Sequence, residues 1–347
     1  MRVGFDVSAL QAPHSLGVRR AARGLLESLE QRAVLEVVRL EAPAGASSSR
    51  WRQLKLPKEV KRQGLLGLHS FTSAIAYFGA GRRVQTIHEL PWRHGVAENS
   101  DLKHRLWASL GPRRADRVIC PSEHVARDLS GTLGVRATKL RVIPWGVDER
   151  FTPEPPLGSL DEPLLERYRL GSDPIVLCPG AVRAKKNLAA VLRGVAYLKE
   201  HANLRVELVV SGPSTLDLRR DLGLASQLGI SDRVTTLEEI EESDLPGLYR
   251  LASVVAVLSP SEGFGFPVLE ALASGTPVLV PPASAQSELA GEQAQVVDPT
   301  SPSSVANGIQ LALDTKRRLS FQLSKRAEGF RWEHAASKVE ALWKELQ

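Results

Sequence analysis

Two carboxylates, Glu262 and Glu270, stand with seven residues between them in the stretch SPSEGFGFPVLEALASG at 259–275. An apolar run at 252–258 precedes the stretch and predicts a buried strand. Pro267, Leu269 and Leu272 predict a short helix that Gly275 stops. The loop between strand and helix holds Gly263, Phe264, Gly265 and Phe266. Glycines let backbone N–H groups come close to a ligand, and a helix N-terminus adds partial positive charge that suits a phosphate. A carboxylate ahead of that helix reaches one side of a bound anion; one a turn inside it reaches the other. Ionised carboxylates only accept hydrogen bonds, so both suit hydroxyl groups on a sugar or a ribose. The ligand so described is a phosphate flanked by two polyols, a nucleotide sugar. Acidic residues near a helix start also serve simply to complement the dipole, but that role needs no GFGFP loop.

Other residues of the right type lie at similar corners. Residues 174–179 predict a strand and residues 187–201 a helix, with GAVRAKKNL between. Arg183, Lys185 and Lys186 therefore precede a helix N-terminus, where the dipole disfavours cations; a diphosphate supplies a reason for them. A weaker corner follows the strand at 2–7, where Gly17 falls in the turn before a helix. Arg19 and Arg20 come next, read either as phosphate contacts or as a solvated helix face. His69 and His88 end predicted strands at 65–69 and 83–88, and ligands gather at strand carboxyl ends in open α/β sheets.

These corners need a scaffold of alternating strands and helices, and the chain supplies one throughout. That alternation predicts α/β architecture with doubly wound parallel sheets. Pro144, Pro153, Pro155, Pro156 and Pro163 break regular structure and place a domain boundary in the segment 148–163. The expected domains are 1–150 and 151–330, with a final helix at 331–347 carrying Trp332 and Trp343. Ser100, Ser122, and Ser303 or Ser304 are the expected caps of three helices.

The spacing of Glu262 and Glu270, after a strand and at a helix start, resembles the E-x7-E signature of retaining GT-B glycosyltransferases of glycosyltransferase family 4. LHS, TIHELP, ADRVICPSE and VIPWGVD resemble further motifs of that family, so the likeness covers nearly the whole chain. It implies two Rossmann-like domains facing across a cleft, with the last helix packed back on the first domain. The second domain is then the nucleotide-sugar domain and the first the acceptor side, for a glycan, a lipid-linked or a small-molecule acceptor. The implied reaction moves a hexose with retention of anomeric configuration. The resemblance makes Lys186 and Arg183 phosphate ligands, Glu262 the holder of sugar hydroxyls and Glu270 of the ribose. It makes His88 the residue that positions the sugar, and Gly17 and the 263–266 loop donor contacts. Arg19 stands where the family often has glycine, Glu89 where it has aspartate and Trp145 where it has asparagine. TIHELP is similar to mannosyltransferase relatives and implies GDP-mannose, with a UDP-hexose as the alternative. No cofactor and no metal is expected, because the cationic corner does the work of a divalent ion. Rival readings are a sugar-nucleotide epimerase or phosphorylase on this scaffold, and a nucleotide-sugar-binding protein without turnover.

Bulk properties narrow the rest. A chain of 347 residues, 43% hydrophobic and 24% charged, has room for two globular cores. Its net charge of +6 suits phosphorylated substrates or an anionic membrane surface, and equally a solvated basic face. Aromatics are only 5% and no stacking motif interleaves with basic residues, which argues against nucleic acid. Cys120 and Cys178 lie in apolar runs and read as buried thiols. No Cys/His spacing suggests zinc. The N-terminus MRVGFDVSAL reads as a strand and not a signal peptide, and no run spans a bilayer, so a cytoplasmic protein is expected. The basic segment WRQLKLPKEVKRQ leaves peripheral contact with the inner face of a membrane open, beside its reading as an ordinary amphipathic helix.

Overall fold

The computed structural model describes residues 1–10, 15–43, 48–79, 81–94 and 102–347. The chain divides into two compact units, Met1–Gly146 with Phe330–Gln347, and Val147–Gly329. The first holds a sheet of β1 (Arg2–Asp6), β2 (Glu36–Leu40), β3 (Gly67–Ser70), β4 (Arg82–Thr86), β5 (Arg117–Cys120) and β6 (Leu140–Val142). The second holds β7 (Ile175–Cys178), β8 (Glu207–Ser211), β9 (Val234–Leu237), β10 (Val254–Ala256), β11 (Val278–Val280) and β12 (Ala294–Val296). The spatial orders are β2-β1-β3-β4-β5-β6 and β12-β11-β10-β7-β8-β9, with neighbouring strands parallel. Central strands such as IVLC and VLV are apolar on both faces, as helix-covered parallel strands must be. Chain order reverses between β1 and β3 in the first sheet and between β7 and β10 in the second. These are the topological switch points, where loops diverge and leave a crevice.

Helix boundaries follow local chemistry. Ser122 Oγ accepts from the Val125 N–H to open the helix Glu123–Leu133, and Gly134 in the left-handed region closes it. The helix Pro302–Ala327 is capped by Ser301, not by Ser303 or Ser304. Pro302 suits the first helical position, so the cap falls immediately before it. The Ser100 cap lies outside the described residues.

The last helix, Trp332–Glu345, packs against the helix Leu16–Arg32 within the first unit. Arg32 donates to both oxygens of the buried Glu340 at 2.9 Å. Trp332 seats against two glycines: a Cβ on Gly24 or Gly146 would lie 2.3 Å from it. Trp145 is fully buried with its ring 6.4 Å from that of Trp332, so the bulky departure at 145 is part of this packing.

The basic segment forms a single π-helical turn, Trp51–Lys55, and the helix Leu56–Arg62. Leu56 and Val60 join a buried cluster with Leu40, Leu65 and Leu68, with Trp51 packed against it, whereas Leu54 is exposed. Among the described residues no helix is long and apolar enough to cross a membrane.

Candidate functional site

Lys186 and Glu262 come from different corners of the second sheet and meet. After β7 the chain turns through Gly180, and Arg183 in extended backbone leads into the 3-10 turn Ala184–Lys186. Asn187, with φ of 55°, breaks that turn before the helix Leu188–His201 starts. Its side-chain Nδ2 donates to the Leu258 carbonyl at 3.4 Å, which ties this corner to the segment after β10. The Ala184 N–H donates to Asp217 at 2.9 Å. Lys186 Nζ thereby comes to donate to Glu262 Oε1 at 2.7 Å. Burial pushes the Glu262 carboxyl up, but Lys186, Lys185 and Arg183 outweigh it and hold the group below the usual carboxylate range. The site is a carboxylate that the cations around it hold in its charged form.

The following loop enters the helix Phe266–Ala273 through Gly265, whose φ of 104° is open only to glycine at low cost. No side chain caps that helix among the described residues. Phe264 is buried and meets Phe266 edge-on at 5.2 Å; Gly263 is buried beside them. Below the loop, Ser259 Oγ donates to the Ser261 carbonyl at 3.1 Å and Gln286 Nε2 donates to the Ser259 carbonyl at 2.9 Å. Glu270 takes a different partner from Glu262. It is buried, and its Oε2 accepts from the Tyr249 hydroxyl at 2.7 Å.

In the first unit His88 lies just past β4. Its Nε2–H donates to the Phe71 carbonyl at 2.9 Å, which in a neutral ring makes Nδ1 the lone-pair nitrogen. Its ring is 5.9 Å from that of Trp145. His69 lies inside β3 and is fully buried, stacked on Phe71 at 4.6 Å and bonded through Nε2 to Thr86 Oγ1 at 2.9 Å. Burial, with His88 adding to it, pushes the His69 ring down to about 3, so it is a neutral core residue. Gly17 belongs to the first turn of the helix Leu16–Arg32 and not to the turn before it. Ser15 caps that helix, which starts one residue earlier than the glycine suggests. A Cβ at Gly17 would meet nothing within 4 Å.

Comparison with known proteins gives the family and the fold. Residues 166–329 match the family model described as glycosyl transferases group 1, and residues 2–151 match that of Glycosyltransferase Family 4. The D-inositol 3-phosphate glycosyltransferase of Corynebacterium jeikeium is 31% identical over 297 residues, 77% of this chain and 69% of that protein. This chain belongs to glycosyltransferase family 4. The namesake protein of Nocardia farcinica is 33% identical over 246 residues, 66% of this chain and 53% of that protein. The family 4 chain thus spans about half the length of the latter relative. Among solved structures, sucrose-phosphate synthase from Thermosynechococcus elongatus superposes with a TM-score of 0.79 at 22% identity, covering 100% of this chain and 99% of that one. Anabaena Alr3699/HepE in complex with UDP and glucose gives 0.73 at 17% identity, covering 99% of each. These likenesses establish the GT-B fold of two Rossmann-like units.

Sequence reasoning missed Tyr249, Asn187 and Asp217. Tyr249 had a faint signal, since a tyrosine in the apolar helix Leu245–Leu251 needs a partner for its hydroxyl once buried. Asn187 and Asp217 had none, because their partners come from distant segments.

Proposed function

We propose that this family 4 protein is an enzyme that transfers a hexose from a nucleoside diphosphate sugar to a glycan, lipid-linked or small-molecule acceptor, with retention of anomeric configuration. The observation that carries this reading is the Lys186–Glu262 contact. Two residues 76 positions apart, each at a corner of β7 or β10, meet beside the switch point of the second sheet. Crevices of this kind are where α/β sheets take their ligands. On donor binding the diphosphate replaces Glu262 on Lys186, and sugar hydroxyls replace Lys186 on Glu262. Arg183, Lys185 and the N-terminus at Phe266 add to the positive field, with the backbone of Gly263, Phe264 and Gly265 alongside. Glu270, oriented by Tyr249, takes the ribose. His88 is proposed as the residue that positions the sugar.

Chemically, the bond from the anomeric carbon to the diphosphate oxygen breaks as the acceptor oxygen bonds on the same face. The acceptor proton passes to the departing phosphate. Charge grows on the leaving diphosphate, and fixed cations aimed at it lower the barrier. That arrangement needs no divalent ion, and turnover that required added Mg²⁺ or Mn²⁺ would count against it.

A UDP-hexose is the donor of first choice, because HepE, with the same fold, binds UDP and glucose. GDP-mannose is the competing donor. The names of the inositol 3-phosphate relatives add a phosphorylated polyol to the acceptors worth screening, which the net charge of +6 also suits. The test is donor turnover by Lys186→Ala and Glu262→Ala. Turnover by Lys186→Ala is expected to fall by roughly 10²- to 10³-fold, the loss typical of removing one group that stabilises developing charge, and that by Glu262→Ala is expected to fall through loss of the sugar-hydroxyl contacts. Unchanged rates in both would defeat the assignment. Donor isomerised without any acceptor would favour an epimerase, sugar phosphate formed from a glycan and inorganic phosphate would favour a phosphorylase, and an inverted product would reject retention.

A further inference from the structure

We propose that His94, His124 and Asp128 form a metal site in the first unit, with zinc as the fitting ion. His124 and Asp128 stand four residues apart on the helix Glu123–Leu133, so their side chains share one face. His94 ends the 3-10 turn Pro91–His94 and reaches that same face. Its Nε2 lies 2.6 Å from Asp128 Oδ2, and His124 Nε2 lies 3.9 Å from the same oxygen. The two imidazole rings stack with centroids 5.2 Å apart and planes 24° from parallel. One ligand atom from each of the three residues falls within 4.8 Å of the others.

The donor set selects the ion. Two imidazoles and one carboxylate suit zinc and its transition-metal neighbours, whereas magnesium and calcium prefer all-oxygen sites. Zinc holds nitrogen and oxygen ligands at about 2.0–2.2 Å, so small side-chain rotations would close the three onto one ion. The side chains of His94, His124 and Asp128 are 23%, 13% and 12% exposed. The cluster is walled in yet reachable, which leaves a position for water. Arg93 lies 3.6 Å from Asp128 Oδ1 and competes with a cation there. Its side chain is 55% exposed, so it has room to swing into solvent. The competing account is a plain histidine–aspartate ion-pair cluster, which would show no saturable metal binding.

Bound metal would pin the segment after β4 to the helix after β5. The site stands independently of the Lys186–Glu262 contact that carries the donor reading. The His-x3-Asp pair can be seen in the sequence; its third ligand arrives only through the fold.

The experiment uses the full chain, stripped with a chelator and titrated with Zn²⁺ by calorimetry and with Co²⁺ by visible absorption. One ion per chain is expected, with a raised melting midpoint, since a ligand of the folded state stabilises it. His94→Gln and His124→Gln should each weaken zinc binding by at least about tenfold and abolish the tetrahedral cobalt bands. His201→Gln, at an exposed histidine in the other unit, should bind as the wild type does. If a histidine variant fails to fold, Asp128→Asn gives the same reading with less disturbance. Zinc affinity unchanged in the ligand variants, or no saturable zinc binding by the wild type, would overturn the site.

Discussion

Asp6 at the end of β1 and Glu262 after β10 are both carboxylates beside a topological switch point, and each is held by a cation from another segment. Asp6 pairs with Arg52 Nε at 3.3 Å, with side chains 1% and 9% exposed. Ser8 completes that corner: its N–H donates to Asp6 Oδ1 at 3.1 Å, and its hydroxyl accepts from Arg52 at 3.4 Å. Glu262 pairs with Lys186 at 2.7 Å, with side chains 15% and 20% exposed, and Lys185 and Arg183 also act on its carboxylate. The first corner is sealed and internally satisfied. The second stays within reach of solvent, and three cations act on its one carboxylate. One architecture thus supplies two comparable corners, and burial separates the sealed pair from the one open to solvent.

Stability measurements test that separation most strongly. Arg52→Met strands a buried carboxylate and is expected to cost about 3–5 kcal/mol of unfolding free energy. Lys186→Met acts on a pair with more solvent access, whose carboxylate keeps Lys185 and Arg183 beside it, and is expected to cost less than Arg52→Met while it abolishes most turnover. Urea titrations of both variants read this directly; similar losses would erase the distinction between the corners.

Tyr249→Phe sharpens the picture within the second unit. It removes the hydroxyl that donates to Glu270 and leaves the ring in place against Phe151, which it meets edge-on at 5.4 Å. The expected cost is about 1–3 kcal/mol, the usual penalty for depriving a buried acceptor of its donor. If Glu270 holds the donor ribose, KM for the donor rises with it. A stability loss with unchanged donor KM would make the Tyr249–Glu270 bond purely structural.

Much of this molecule can be read from local signals. Apolar β-branched runs, proline breaks and serine caps mark the strands and helices. The cations at 183–186 stand out because they oppose a helix dipole, and Glu262 because of its glycine-rich loop. What stays hidden is contact between corners. Lys186 and Glu262 touch only because β7 and β10 are neighbours, although β8 and β9 lie between them in the chain. Trp332 likewise depends on Gly24 and Gly146, glycines that read locally as an unremarkable helix residue and a turn. The Asp6–Arg52 pair was invisible for a different reason: its arginine lies in a basic segment that invites a surface reading, yet this one residue turns inward.

The two strand-end histidines of the first unit offer the finest test, because they look alike in sequence and sit in unlike surroundings. His88 is half-buried past the end of β4, whereas His69 is sealed among Phe5, Phe71 and Thr86. Burial holds the folded His69 at about 3, against an ordinary value of 6.5. Between those limits the unfolded chain binds a proton at this position and the folded chain does not. Stability contributed by His69 is therefore present above about pH 6.5 and is lost as pH falls towards 3. One proton gives a slope of at most about 1.4 kcal/mol per pH unit. His69→Gln has no group to titrate and keeps a partner for Thr86. Its urea midpoint should fall less steeply than that of the wild type between pH 6.5 and 5, before most carboxylates respond. Identical slopes would mean that His69 takes up its proton in the folded state, and the division between the sealed His69 and the half-buried His88 would fail.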